Sequence, residues 1–387
     1  MRFPRRLTAS AVVSTMLAAG LAGCTSDDDS AGDVTEVVIG ADLASGSAVD
    51  TAYARALQLK IEQINASGTL GDRRLVLRIQ DNRSDPTASL RNISTFADDP
   101  AVAAVVTGIC GECVVGAVKT INDKKLPTIG LAAADEVASP VADRRFVFKL
   151  GPNSQDSNAA VVAELVRTRT KRVGILYADD DYGNAGNGDL VEELAKSGIE
   201  VTAKSRVKPT ATDITQAVGT LADTEPDALI FLVGPDQAPT AAIGAKAAAF
   251  KGRVYFDAAA AGDMFIPQDA SAATEKATLV FTQILAIDDV IATTPAKAAR
   301  KQWFRDYTSR YGSYSGVAAF AADAADLIAE AVAKVGTDRV RLRDVLETSQ
   351  IDGLAGPIRL TPDNHSGLMP QALTLLVARS GRWRLQN

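Results

Sequence analysis

Histidine is nearly missing from this chain of 387 residues; His365 is the only one. That excludes sites needing two imidazoles, and a Ser–His–acid hydrolase would have to be built on this residue alone. It lies in Thr361-Pro362-Asp363-Asn364-His365-Ser366-Gly367, whose turn formers predict a hairpin-like bend with the ring in solvent. Cysteine is scarce too, and three are too few for a disulfide scaffold. Basic clusters are lacking and the net charge is −6, so nothing points to nucleic acid. After the N-terminus no 18 apolar residues follow one another, which predicts a soluble remainder. What is present is ordinary globular composition, 47% hydrophobic and 23% charged, with length for two or three domains.

The N-terminus is distinctive. Met1-Arg2-Phe3-Pro4-Arg5-Arg6 is basic, an apolar run extends from about Leu7 to Ala22, and Gly23-Cys24 follows. A basic segment, a short apolar segment and small residues form a secretory signal, and the run is too short for a comfortable membrane span. Leu21-Ala22-Gly23-Cys24 resembles a bacterial lipobox, which implies cleavage before Cys24 and lipid on its thiol. Residues 1–23 would be signal peptide and 24–35 an acidic, self-repelling tether. Cleavage leaves 364 residues with 38 basic and 47 acidic side chains, a net charge of −9. The expected location is extracytoplasmic, anchored to the cell membrane through Cys24, since two or more acyl chains hold a protein stably at a bilayer.

From Glu36 onward, short apolar runs alternate with helical periods. Val37-Val38-Ile39-Gly40, Leu75 to Ile79, Val102 to Val106 and Pro127 to Leu131 read as strands. Helices are predicted over Ala48–Asn65, from Asp85-Pro86 and over about Glu112–Lys125. The rhythm restarts after Phe146 to Leu150, with strands Val173–Tyr177, Val201–Val207, Ala228–Val233 and Val254–Phe256 and helices near 155–168, 187–197, 213–223 and 236–249. Helices near 296–310, 317–335 and 340–348 follow, then strands Pro357–Leu360 and Ala372–Val377. The fold class is α/β, with two open, doubly wound lobes whose strand ends meet at a cleft.

The order of these motifs resembles the type I periplasmic solute-binding proteins, specifically the leucine/isoleucine/valine-binding group of ABC transporter receptors. The likeness rests on Val38-Ile39-Gly40, Ile61-Glu62-Gln63-Ile64-Asn65-Ala66-Ser67-Gly68, Gly71-Asp72-Arg73-Arg74-Leu75 and Asp81-Asn82-Arg83-Ser84-Asp85-Pro86. Phe146-Val147-Phe148-Lys149-Leu150, Ile175 to Gly183, Ala211-Thr212-Asp213, Pro226-Asp227-Ala228 and Asp352 to Ile358 complete it. The resemblance implies a three-crossing hinge near residues 150, 285 and 355, with one lobe of 36–150 and 286–352 and another of 151–285 and 353–387. It also implies a non-enzymatic monomer without cofactor or metal. Such a protein closes on a small polar solute, an amino acid or related compound, and delivers it to a membrane permease.

The resemblance also nominates site residues. The turn at Gly111 would hold a ligand carboxylate, yet glycine lacks the family's hydroxyl, and Glu112 beside it would repel an anion or pair with a cation. Ala132-Ala133-Ala134 stands where the family shows Ala-Ala-Thr or a Ser/Thr variant, and Val49 where some branched-chain binders carry an aromatic ring. Tyr182 matches a cleft tyrosine, Asp257 an acid that pairs with a ligand ammonium, and Gly234 a position that leaves room. Cys110-Gly111-Glu112-Cys113 reads as an extracytoplasmic disulfide stiffening the turn, with a thiol–disulfide oxidoreductase as the remoter alternative. The missing hydroxyl and aromatic groups leave open a same-fold lipoprotein that regulates an envelope enzyme or sensor by contact.

Overall fold

A run such as Val37-Val38-Ile39 is buried only by a strand covered on both faces. The computed structural model describes residues 34–264 and 266–386 and places this run inside a parallel sheet. The expected signal peptide, Cys24 and all but the last two residues of the tether lie outside the described residues. Thr35, expected in the tether, already pairs with Arg73 in the sheet.

The first sheet comprises β1 (Thr35–Leu43), β2 (Arg73–Asp81), β3 (Val102–Thr107), β4 (Thr128–Gly130) and β5 (Val147–Lys149), ordered β2-β1-β3-β4-β5. Helices α1 (Ala48–Ser67), α2 (Pro86–Asp98) and α3 (Gly111–Asp123) connect its strands. Local chemistry sets their ends. The Ser47 hydroxyl accepts from Asp50 N at α1, Gly68 ends that helix at φ 68°, and Asp85 caps α2 ahead of Pro86.

The second sheet follows α4 (Ser154–Arg167). It contains β6 (Arg172–Ala178), β7 (Glu200–Val207), β8 (Ala228–Leu232), β9 (Arg253–Phe256) and β10 (Thr278–Thr282). Helices α5 (Asp181–Lys196), α6 (Thr215–Ala222), α7 (Ala238–Ala247) and α8 (Gln268–Thr274) lie between them. The parallel core runs β7-β6-β8-β9-β10, the same winding as the first sheet. Next come α9 (Pro295–Tyr311), α10 (Ala318–Val335), α11 (Arg339–Leu346) and a short hairpin, β11 (Gln350–Asp352) with β12 (Pro357–Arg359). Strands β13 (Leu373–Arg379) and β14 (Arg382–Leu385) then extend the second sheet antiparallel beyond β10.

The predicted elements are present, with shifted ends. The helix expected to begin near 187 starts at Asp181, because Gly183, Gly186 and Gly188 hide its periodicity. Gly183 is required there: a Cβ would lie 2.1 Å from the carbonyl oxygen of Ala178. Strands β10, β11 and β14 and helix α8 are additions to the predicted set.

The chain passes between the sheets three times, and buried ionisable side chains pin two of the passages. After β5, the Lys149 ammonium is wholly buried and donates to Gly151 O, Pro152 O and Asn153 Oδ1 at 3.0, 2.9 and 2.7 Å. Burial pulls its pKa down to about 8. On the return to the second sheet, Asp323 of α10 accepts from Leu354 N at 2.6 Å and Ala355 N at 2.8 Å. Helix α10 buries 13 of its 18 residues, and its many alanines let neighbouring backbones approach closely.

His365 is not on the surface. It is wholly buried, stacked 4.4 Å from the Phe148 ring, with Nδ1 2.9 Å from Val147 O and Nε2 3.2 Å from Glu347 Oε1. The Thr361–Asn364 bridge makes the expected turn, but the chain beyond it adds to the edge of β5. Lys149 N donates to His365 O and Gly367 N to Lys149 O, both at 2.8 Å. That pairing carries the ring under the sheet edge.

Candidate functional site

In a doubly wound sheet, a crevice opens beyond the strand ends where the winding reverses. In the first sheet this is the place between β1 and β3, flanked by the starts of α1 and α3. In the second it lies between β6 and β8, flanked by the start of α5 and the loop after β8. Residues from both places line one cavity of about 510 Å³.

Most nominated residues meet there. Val49, Gly111, Glu112, Ala133, Ala134, Tyr182 and Gly234 line the cavity, as does Cys110. Ala132 does not; it is 1% exposed and packs in the apolar cluster beneath the sheet. Asp257 stands behind Tyr182, whose hydroxyl donates to its Oδ2. Cys110 and Cys113 are joined as a disulfide with Cα atoms 5.3 Å apart, and Cys110 Sγ accepts from Cys113 N at 3.2 Å. The pair thus closes the first turn of α3 at the cavity wall.

Asp257 is 1% exposed, and its Oδ1 has no hydrogen-bond partner of good geometry. Burial raises its carboxyl to about 7, against the lowering effect of the Tyr182 hydroxyl and the Ala260 and Ala259 amides. Tyr182 crosses the cleft and packs against the apolar cluster that contains Ala134 and Val137. Beside this contact, Ser154 at the start of α4 bonds Asp135 through Oγ at 2.9 Å and N at 3.2 Å.

The sequence reading missed other wall residues. Tyr53 sits one turn beyond Val49 on α1, a spacing that could have identified it, and donates to Leu131 O at 3.3 Å. Phe281 comes from the unpredicted strand β10, and Phe320 from α10, remote in sequence from the other wall residues. Asp50 was missed as well. It is 1% exposed and accepts from Ala44 N at 2.7 Å and Ile109 N at 2.8 Å, tying the α1 turn to the α3 turn. Gly108 must be glycine beneath it, since a Cβ would fall 2.3 Å from Asp50 Oδ1. A smaller neighbouring cavity of about 360 Å³, walled by Pro235, Asp236, Asp263 and Trp383, shares only Val49 with the nominated set.

This geometry can enclose a small molecule. A family model described as periplasmic binding protein matches residues 38–382. The chain belongs to the periplasmic binding protein family. Among curated proteins none matches its sequence. An extracellular ligand-binding receptor from Rhodopseudomonas palustris HaA2 is similar in structure, with TM-score 0.81 at 20% identity, covering 91% of this chain and 99% of that one. An ABC transporter substrate-binding protein from Desulfitobacterium hafniense, in complex with Leu, gives 0.73 at 19% identity over 91% and 100%. A solute-binding protein of an ABC transporter from R. palustris BisB5, in complex with 3,4-dihydroxybenzoic acid, gives 0.78 at 16% over 90% and 95%. The periplasmic binding protein described here is therefore an extracytoplasmic solute-binding receptor of the type I fold, and the family's members are receptors rather than enzymes.

Proposed function

We infer that this receptor captures a small polar solute in the 510 Å³ cavity and delivers it to the membrane permease of an ABC importer. The observation that carries the reading is that one cavity takes its walls from the winding-reversal points of both sheets. We assign residues 36–150 and 286–352 to one lobe and 151–285 and 353–387 to the other, with the cleft closing about the three passages. The basic and apolar N-terminus supports lipid attachment at Cys24, which would hold the monomeric receptor at the outer face of the membrane. Regulation by protein contact alone is less well supported, since such a protein has no need to keep this volume clear of side chains.

Thermal unfolding in the presence of amino acids, amides, amines and aromatic acids tests the reading. A true ligand at a hundred times its Kd stabilises the fold by about 2.7 kcal/mol. Failure of every class to raise Tm, together with no co-purified solute in native mass spectrometry, would remove the reading. For anchoring, replacing Cys24 by Ser should release the protein from the membrane fraction without changing its ligand-induced Tm shift.

A further inference from the structure

We propose that the cavity selects a cationic amine with an apolar body and no carboxylate, an inference that rests on the receptor reading above. Both phenols on its wall have committed their protons. Tyr53 donates to Leu131 O at 3.3 Å and Tyr182 to Asp257 Oδ2. Each hydroxyl can therefore offer a ligand only an acceptor oxygen. Among the described residues, the charged ones on the wall are Glu112, Asp180 and Asp181, with no Lys or Arg. An anion would meet three carboxylates and no cation.

The amides that would otherwise receive a carboxylate at the start of α3 are partly spent. Ile109 N donates to Asp50 Oδ1 at 2.8 Å, and Cys113 N to Cys110 Sγ at 3.2 Å. Between them stands Glu112, whose charge opposes an anion. On the opposite side, behind Tyr182 rather than on the wall itself, Asp257 is 1% exposed and keeps Oδ1 without a well-aligned donor among the described residues. An unpaired buried acceptor costs free energy that a ligand donor reaching it past Tyr182 would recover. Apart from the Ser84 and Thr210 hydroxyls the remaining wall is apolar and aromatic, with the rings of Tyr53, Tyr182, Phe281 and Phe320, and such rings attract a desolvated cation.

Calorimetric titration of the purified full chain with two matched series tests this. One series is 2-phenylethylamine, phenylalanine and phenylacetate; the other is isopentylamine, leucine and 4-methylpentanoate. The amine of at least one series should bind roughly tenfold or more tightly than its amino acid and its acid. Glu112 is exposed, so Glu112→Gln leaves the fold intact and should weaken amine binding roughly threefold. Asp257→Asn keeps an acceptor for Tyr182 and should weaken it on the order of 30-fold. Equal or tighter binding of the acid or amino acid overturns amine selection while leaving the receptor reading in place. Absence of binding in both series overturns amine selection, and the broader solute panel then decides whether the receptor reading falls with it.

Discussion

Asp50 and Asp257 stand on opposite sides of the cleft, each 1% exposed, and their surroundings differ. Both Asp50 oxygens are occupied by backbone amides, Ala44 N and Ile109 N, which join the α1 turn to the α3 turn. Asp257 engages the Tyr182 hydroxyl through Oδ2, while Oδ1 lacks a well-aligned partner. The first acid is therefore part of the scaffold, and the second keeps one unused acceptor oxygen behind the Tyr182 phenol. On the first side, small side chains such as Gly111, Ala133 and Ala134 complete the wall; on the second, the Tyr182 phenol does, with Asp257 behind it.

Removing each acid should separate these roles. Asp50→Ala leaves the buried Ala44 amide and the partly buried Ile109 amide unsatisfied and should cost about 2 kcal/mol in urea unfolding, with loss of ligand binding following from the displaced turns. Asp257→Asn removes a desolvated charge while preserving the Tyr182 acceptor, so stability should hold or rise while affinity falls. A comparable loss of stability in both variants would erase the distinction.

A smaller effect should appear with pH. Burial raises Asp50 to about 6 and Asp257 and Asp323 to about 7, from 3.8. The folded state then holds protons that the unfolded chain has released, so stability falls as pH rises from about 4 through 7. Lys149 near 8 is protonated in both states below pH 7 and adds no opposing slope there. Tm should be higher at pH 5 than at pH 7.5, and Asp257→Asn should flatten part of that difference. A curve falling toward pH 5 would contradict the burial assigned to these carboxyls.

How far the sequence revealed this arrangement depends on the range of the interactions involved. Strands such as Val102–Val106 and helix starts such as Asp85-Pro86 are set by adjacent residues, and they appear where pattern and capping place them. The turns around Val49, Gly111, Tyr182 and Asp257 were legible because they follow strand ends and match a family order. His365 was misplaced because its turn residues are genuine, while its burial comes from pairing with Lys149, more than 200 residues away. Asp50 gave no local sign of its role, since one of its partners, Ile109, lies 59 positions on. Phe281 and Phe320 were missed for the same reason, as tertiary packing alone brings them to the wall.

The smallest expected effect comes from restoring a hydroxyl to the first side. Ala134 is 7% exposed and borders the cavity, so Ala134→Ser adds a donor with little change in volume. Stability should stay within about 0.5 kcal/mol, and binding of phenylacetate should strengthen roughly threefold, the worth of one modest hydrogen bond. Gly111→Ser is the stricter control: its Cβ would stand 3.1 Å from Ala134 Cβ, a tight contact that Ala134 must relieve by a few tenths of an ångström. If Ala134→Ser improves the acid and leaves the amine unchanged, the first side is a donor-poor wall that a single atom can amend. If the amine weakens by the same factor, the two sides act on one shared ligand position, and the acceptor character of Tyr182 and Asp257 governs it alone.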